Sequence, residues 1–148
     1  MSSNTSDASS SRTDLSGIRI VSTGTALPKT VLNNHDLEAM MDTSNEWIIK
    51  RTGIRERHVY REELGESTAS LAIEALNKAL ANASLKPTDL DLIVVATMTP
   101  NMPTPSTSCI VAEKIGANHI PAFDVNAACS GYVYTLNIVH ALMQTGMY

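Results

Sequence analysis

The sequence predicts an α/β layered fold, with helices packed on a mostly parallel mixed sheet. Three observations carry that expectation. Leu92-Ile93-Val94-Val95-Ala96-Thr97 is a continuous apolar run, the pattern of a strand buried on both faces of a parallel sheet. A long alanine-rich helix precedes it from Ser67 to Leu80, with Leu76 and Leu80 four residues apart and Ile73 one turn back. A second apolar segment, Ile120 to Asn126, leads into a further helical stretch whose Tyr132, Leu136, Val139 and Met143 recur with the helical period. Strands and helices that alternate in this way form helix-covered sheets.

The elements follow in order. Met1 to Ser16 is rich in Ser and Thr, holds Asp7 and Asp14, and contains almost nothing apolar. It buries too little surface to offset its ordering entropy, so a disordered tail is expected over 1–16 and the folded chain over 17–148. Ile18-Arg19-Ile20-Val21-Ser22 is β-branched and ends at Gly24, which predicts a first strand. Leu27-Pro28 turns the chain. Asn34 is expected to cap a short helix through Leu37, Met40 and Met41, with Asp36 and Glu38 in its first turn. Ser44 caps a second helix, Glu46 to Lys50, which Gly53 ends. Arg55 to Tyr60 reads as a strand or an extended loop. Thr99 to Pro105 holds Pro100, Pro103 and Pro105, which excludes regular structure. A helix from Ser106 to Ile115 stops at Gly116, with Cys109 expected on its core face. The last helix ends near Gly146 with no strand after it. A βα unit left open in this way is the pattern of the first half of a larger fold.

Composition narrows the function classes. A net charge of −4 argues against a nucleic-acid footprint. No apolar run approaches the length of a bilayer span, and no secretory signal pattern is present. Cys109 and Cys129 are too few for a disulfide framework, so free thiols in the cytoplasm are expected. His35, His58, His119 and His140 show no metal-ligand spacing with either cysteine.

Chemistry concentrates in Ala127-Ala128-Cys129-Ser130-Gly131. This places a cysteine where a strand hands over to a helix. Unpaired amide N–H groups and the positive end of the helix dipole surround a thiol there, an environment that supports a sulfur nucleophile. The small neighbours leave room for a substrate, which is how a covalent nucleophile is built. Two readings stand on these residues alone: an acyl-accepting nucleophile, or a buried cysteine acting as a small hydrophobe.

A longer pattern bears on that choice. Gly24-Thr25-Ala26-Leu27-Pro28, Thr43 to Arg57, Asp91 to Thr97 and Phe123 to Gly131 occur in this order across almost all of 17–148. Within them, the Trp-x-x-x-Arg-Thr-Gly-Ile-x-x-Arg stretch from Trp47 to Arg57 combines with the Ala-Ala-Cys segment. The chain resembles the amino-terminal half of a β-ketoacyl-acyl carrier protein synthase III, an initiating condensing enzyme of the thiolase superfamily.

The resemblance implies a thiolase-like α-β-α fold, present as its first half only, truncated after the nucleophile helix. It implies acyl transfer from acyl-CoA to Cys129 as a thioester, then condensation with malonyl-acyl carrier protein. It places Trp47 and Arg51 at the CoA adenine, Thr43 near the CoA entry, and Thr104 at the bottom of the acyl pocket. Indole and guanidinium suit such stacking, and a spacing of four sets both on one side of a helical turn. Without the resemblance, Trp47 also reads as a core tryptophan beside Ile48 and Ile49; Arg55 and Arg57 read as structural ion-pair partners of Glu46, Glu56 or Glu62 rather than as ligands. No cofactor is implied, because acyl-CoA is a substrate, and a homodimer is expected. The family's site also needs a histidine and an asparagine from the other half. His140 cannot substitute, since eleven residues of helix separate it from Cys129, about 16 Å. Other thiolase-like acyltransferases are the alternative: secondary-metabolite synthases of this type, hydroxymethylglutaryl-CoA synthases and type III polyketide synthases. So is a non-catalytic dimerising half.

Overall fold

The structure is a computed structural model that describes residues 17–148, so the tail expected over 1–16 lies outside the described residues. Two small sheets take the place of the single sheet expected. β1 (Thr30–Asn33) and β2 (Glu56–Val59) pair antiparallel, with Thr30 opposite Val59 and Asn33 opposite Glu56. Between them lie α1 (Asn34–Glu38) and α2 (Asn45–Thr52). The second part of the chain runs α3 (Thr68–Ala83), β3 (Ile93–Ala96), α4 (Thr107–Ile115), β4 (Ala122–Val125) and α5 (Gly131–Gln144). β3 and β4 pair in parallel, with Ile93 opposite Ala122 and Ala96 opposite Val125. A crossover helix between parallel strands is what the apolar β3 run predicts.

Local chemistry sets the helix ends. Ser44, Ser67 and Ser106 each accept an amide N–H of their helix's first turn, and Gly53 and Gly116 close α2 and α4 in the left-handed conformation. The core lies where α3 and α4 meet β3, around Ala69, Ile93, Val111, Ala112 and Ala117. The loop from 99 to 105 is irregular, as its prolines require.

Four expectations are corrected. Ile18 to Ser22 is not a strand, because among the described residues no neighbouring segment offers it a backbone ladder. It is held on α3 instead: Ser22 Oγ donates to Ala79 O at 2.7 Å and Asn82 Nδ2 to Thr23 O at 2.9 Å. The cap of α1 is Asn33, which forms a capping box with Asp36; Asn34 is the first helical residue and is buried. Cys109 is exposed, because α4 buries Thr107, Ser108, Val111 and Ala112, and Cys109 falls off that stripe. On α5, the face that the period of Tyr132, Leu136, Val139 and Met143 outlines is not a buried one: Tyr132 and Met143 are 62% and 46% exposed. The helix meets the sheet instead at Gly131, where a Cβ would stand 3.2 Å from Ala96 Cβ.

Candidate active site

Cys129 lies four residues beyond β4, inside a 3₁₀ turn of Ala128–Ser130 that runs directly into α5. The thiol is exposed, which removes the reading of a buried core cysteine. The backbone before it is strained. Ala128 has φ +46°, a left-handed conformation that a residue with a Cβ adopts at a cost of about 1–2 kcal/mol. Strand, sharp turn and helix together lift the residue at the turn clear of the sheet, and strain of this kind collects where a reactive group must be held out. No side chain caps α5; the Gly131 N–H at its start donates instead to Ala128 O within the turn. Asn126 is exposed and makes no side-chain hydrogen bond among the described residues. The parallel pairing also fixes what shares this edge. The loop after β3, which holds Thr104, and the Cys129 turn after β4 both leave the carboxyl end of the same strand pair, where Thr97 N–H donates to Val125 O at 3.1 Å. Ligands of parallel sheets bind outside the carboxyl ends of the strands. Thr104 itself is exposed.

Asp124 steadies this edge from β4. Its two carboxylate oxygens accept the amide N–H groups of Thr107 and Ser108 at the start of α4, each at 2.8 Å. Burial pushes the Asp124 carboxyl up, but the amide and hydroxyl of Ser108 and the amide of Thr107 outweigh burial and hold it below the usual value of 3.8. A carboxylate whose folded value is depressed contributes stability that is complete above 3.8 and is lost as pH falls through the lower, folded value. Asp124→Asn keeps one acceptor and turns an NH₂ toward the other amide. It is expected to cost about 1–2 kcal/mol at neutral pH. Thermal unfolding at a series of pH values checks this: the gap between variant and wild type closes as the medium is acidified.

A second cluster forms on α2. Trp47 is 56% exposed, which excludes the core-tryptophan reading. The Arg51 guanidinium lies over its ring, 5.4 Å from the centroid. Trp47 lines a cavity of about 530 Å³ with Met41, Asp42, Thr43 and Ser44. Three of the residues singled out from the sequence, Trp47, Arg51 and Thr43, therefore come together. Cys129 and Thr104 do not line that cavity.

No protein-family model matches the chain. It is 50% identical over 129 residues to the β-ketoacyl-[acyl-carrier-protein] synthase III of Caldanaerobacter subterraneus, a match that spans 87% of this chain and 38% of the relative. The crystal structure of the 3-oxoacyl-[acyl-carrier-protein] synthase III of Aquifex aeolicus superposes with a TM-score of 0.83 at 46% identity, over 88% of this chain and 42% of that one. In sequence and fold, the chain matches the amino-terminal part of a β-ketoacyl-acyl carrier protein synthase III. Its architecture is thus a partial thiolase-like α/β fold. The chain spans about two fifths of the length of the curated synthase III relatives it matches. A priming β-ketosynthase of a polyketide biosynthetic pathway is also similar, with a TM-score of 0.81 at 32% identity over 87% of this chain and 38% of that one.

Two features of this chain were not read from the sequence. Arg57 makes no ion pair among the described residues; its Nη2 donates to Asn34 Oδ1 at 2.6 Å and its Nη1 to Leu32 O at 3.2 Å. The capping box Asn33–Asp36 is visible in the letters and would have moved the cap from Asn34 to Asn33, leaving Asn34 free for this inward role. The Asp124 clamp has no local signal, because its partners lie sixteen and seventeen residues away. Among the described residues no helix is long and apolar enough to cross a membrane.

Proposed function

We propose that this chain is the acyl-accepting part of a cytoplasmic, homodimeric initiating condensing enzyme. The Cys129 sulfur attacks the carbonyl carbon of an acyl-CoA, the CoA thiolate leaves, and an acyl-Cys129 thioester remains. Malonyl-acyl carrier protein then loses carbon dioxide. The resulting carbanion attacks the thioester, the Cys129 thiolate departs, and β-ketoacyl-acyl carrier protein is released. The observation that carries this reading is the exposed Cys129 on its strained turn at the carboxyl edge of a parallel strand pair. The Trp47–Arg51 pair beside its cavity supports the choice of donor, because a purine stacks on indole and phosphates attract guanidinium. Similarity to a polyketide priming β-ketosynthase keeps a secondary-metabolite primer as the second reading.

Decarboxylation needs preorganised donors for the enolate oxygen. Three of the four histidines among the described residues are engaged elsewhere: His35 Nδ1 with Glu38 at 2.8 Å, His58 Nδ1 with Pro28 O at 2.6 Å, and His140 with Gln144 on its own helix at 3.4 Å; His119 lies in the turn between α4 and β4. In this reading the rest of the relatives' length supplies those donors. The chain alone is therefore expected to take up acyl groups at Cys129 at most, and to show no steady-state condensation. Radiolabelled malonyl-acyl carrier protein tests both points; turnover by the chain alone overturns the division of labour. Thr104 is proposed to set primer length from the same strand edge as Cys129. Thr104→Phe is expected to shift preference from branched and medium-chain toward acetyl donors by roughly tenfold in kcat/KM, measured with a donor series. An unchanged preference removes Thr104 from the pocket.

A further inference from the structure

We infer that Asn34 is a positioning residue for nucleotide recognition, holding both ends of α2 and so the pose of the Trp47–Arg51 pair. The inference rests on the reading above that this pair takes the CoA nucleotide. α2 has little grip of its own: Ile48 is its one buried residue, while Trp47 and Arg51 face solvent. What fixes the helix is polar. Asn34 is 1% exposed and its amide is used from both sides. Nδ2 donates to Asn45 Oδ1 at 3.0 Å, at the first residue of α2, and to Ile54 O at 2.9 Å, just past its end. Oδ1 accepts Arg57 Nη2 at 2.6 Å, and the same guanidinium reaches Leu32 O on β1. One buried side chain therefore joins α1, both ends of α2, and the β1–β2 ladder. Asn45 is held a second time, its amide N–H donating to Glu38 Oε1 at 2.6 Å, which closes the loop that carries Met41, Asp42 and Thr43 along the cavity. Satisfied buried networks of this kind specify one geometry, and a recognition surface on a short exposed helix depends on the groups behind it.

Trp47 is the one tryptophan of the chain, so its emission reports this site without any turnover. Titration of the full 148-residue chain with CoA is expected to quench Trp47 saturably. Asn34→Asp keeps the Arg57 contact but exchanges the amide donor facing Ile54 O for an acceptor. Asn45→Ala removes the bond at the start of α2 and leaves Asn34 in place. Each is expected to weaken CoA binding by roughly tenfold with unchanged helical circular dichroism. Unchanged affinity in a folded Asn34→Asp chain overturns the inference while the nucleotide reading stands. Loss of helical signal in both variants also overturns it, since Asn34 then serves folding alone. Absence of saturable quenching in the wild-type chain, or quenching that Arg51→Ala leaves unaltered, overturns the nucleotide reading and this inference with it.

Discussion

Cys129→Ala is expected to abolish acyl transfer, lowering acyl-enzyme formation from acyl-CoA by on the order of 10⁴-fold or more while the fold stays intact. The size of the effect follows from chemistry. Alanine offers no atom that can form the thioester, and no neighbouring group inherits the role. Cys109, the one other thiol of this chain, belongs to a different helix, with its sulfur 3.6 Å from Ala122 O at the opposite end of β4 from the Cys129 turn. The fold tolerates the change because the Cys129 side chain is exposed; such substitutions shift stability by about 0.5 kcal/mol or less. Mass spectrometry of the whole enzyme after incubation with acyl-CoA checks the prediction. The wild type gains one acyl group on the Cys129 peptide, Cys109→Ser gains it equally, and Cys129→Ala gains none.

Gly24→Ala carries the largest expected effect on stability, about 3 kcal/mol or more. A Cβ at Gly24 would stand 2.1 Å from Ala75 O and 2.6 Å from Ala79 N, both in the backbone of α3. Backbone atoms inside a helix cannot swing aside, so the segment itself must lift. Lifting it breaks the bonds that dock it: Ser22 Oγ to Ala79 O, Asn82 Nδ2 to Thr23 O, and Lys78 Nζ to Thr25 O at 2.9 Å. Each such bond contributes about 1 kcal/mol. Gly53 provides the contrast. A Cβ there meets nothing within 4 Å, and only the left-handed φ of +74° resists alanine, at about 1 kcal/mol. Urea unfolding midpoints of the two variants should differ severalfold in their displacement from wild type. Equal displacements would mean that Gly24 does not seat the segment on α3.

What the sequence made legible was mostly local. Ser44, Ser67 and Ser106 mark helix starts, and Gly53 and Gly116 mark helix ends, because capping depends on residues a few positions apart. The β3 run was legible because burial on both faces leaves an unbroken apolar string. Strand status for Ile18 to Ser22 was not, since a strand exists only with a ladder partner and composition does not name one. The apolar face of α5 was legible as a face, but the period does not say what covers it, and Tyr132 stays largely exposed. The same holds at the candidate site. Small residues around Cys129 announced the turn, whereas the positive φ of Ala128 is invisible in an alanine. Trp47 and Arg51 were singled out by the resemblance, and their spacing of four agrees with the pair the structure shows. Asn34 was misplaced because an asparagine before a helix serves as a cap or, as here, turns inward to bind neighbouring elements.

The most direct measurement follows both thiols of this chain at once. Alkylation by iodoacetamide is resolved by peptide for Cys129 and Cys109, with and without acyl-CoA. The predicted result is that acyl-CoA protects Cys129 saturably as the thioester forms, while Cys109 reacts at one unaltered rate. Alkylation of the two cysteines at rates indifferent to acyl-CoA would contradict the assignment of Cys129 as the acyl acceptor.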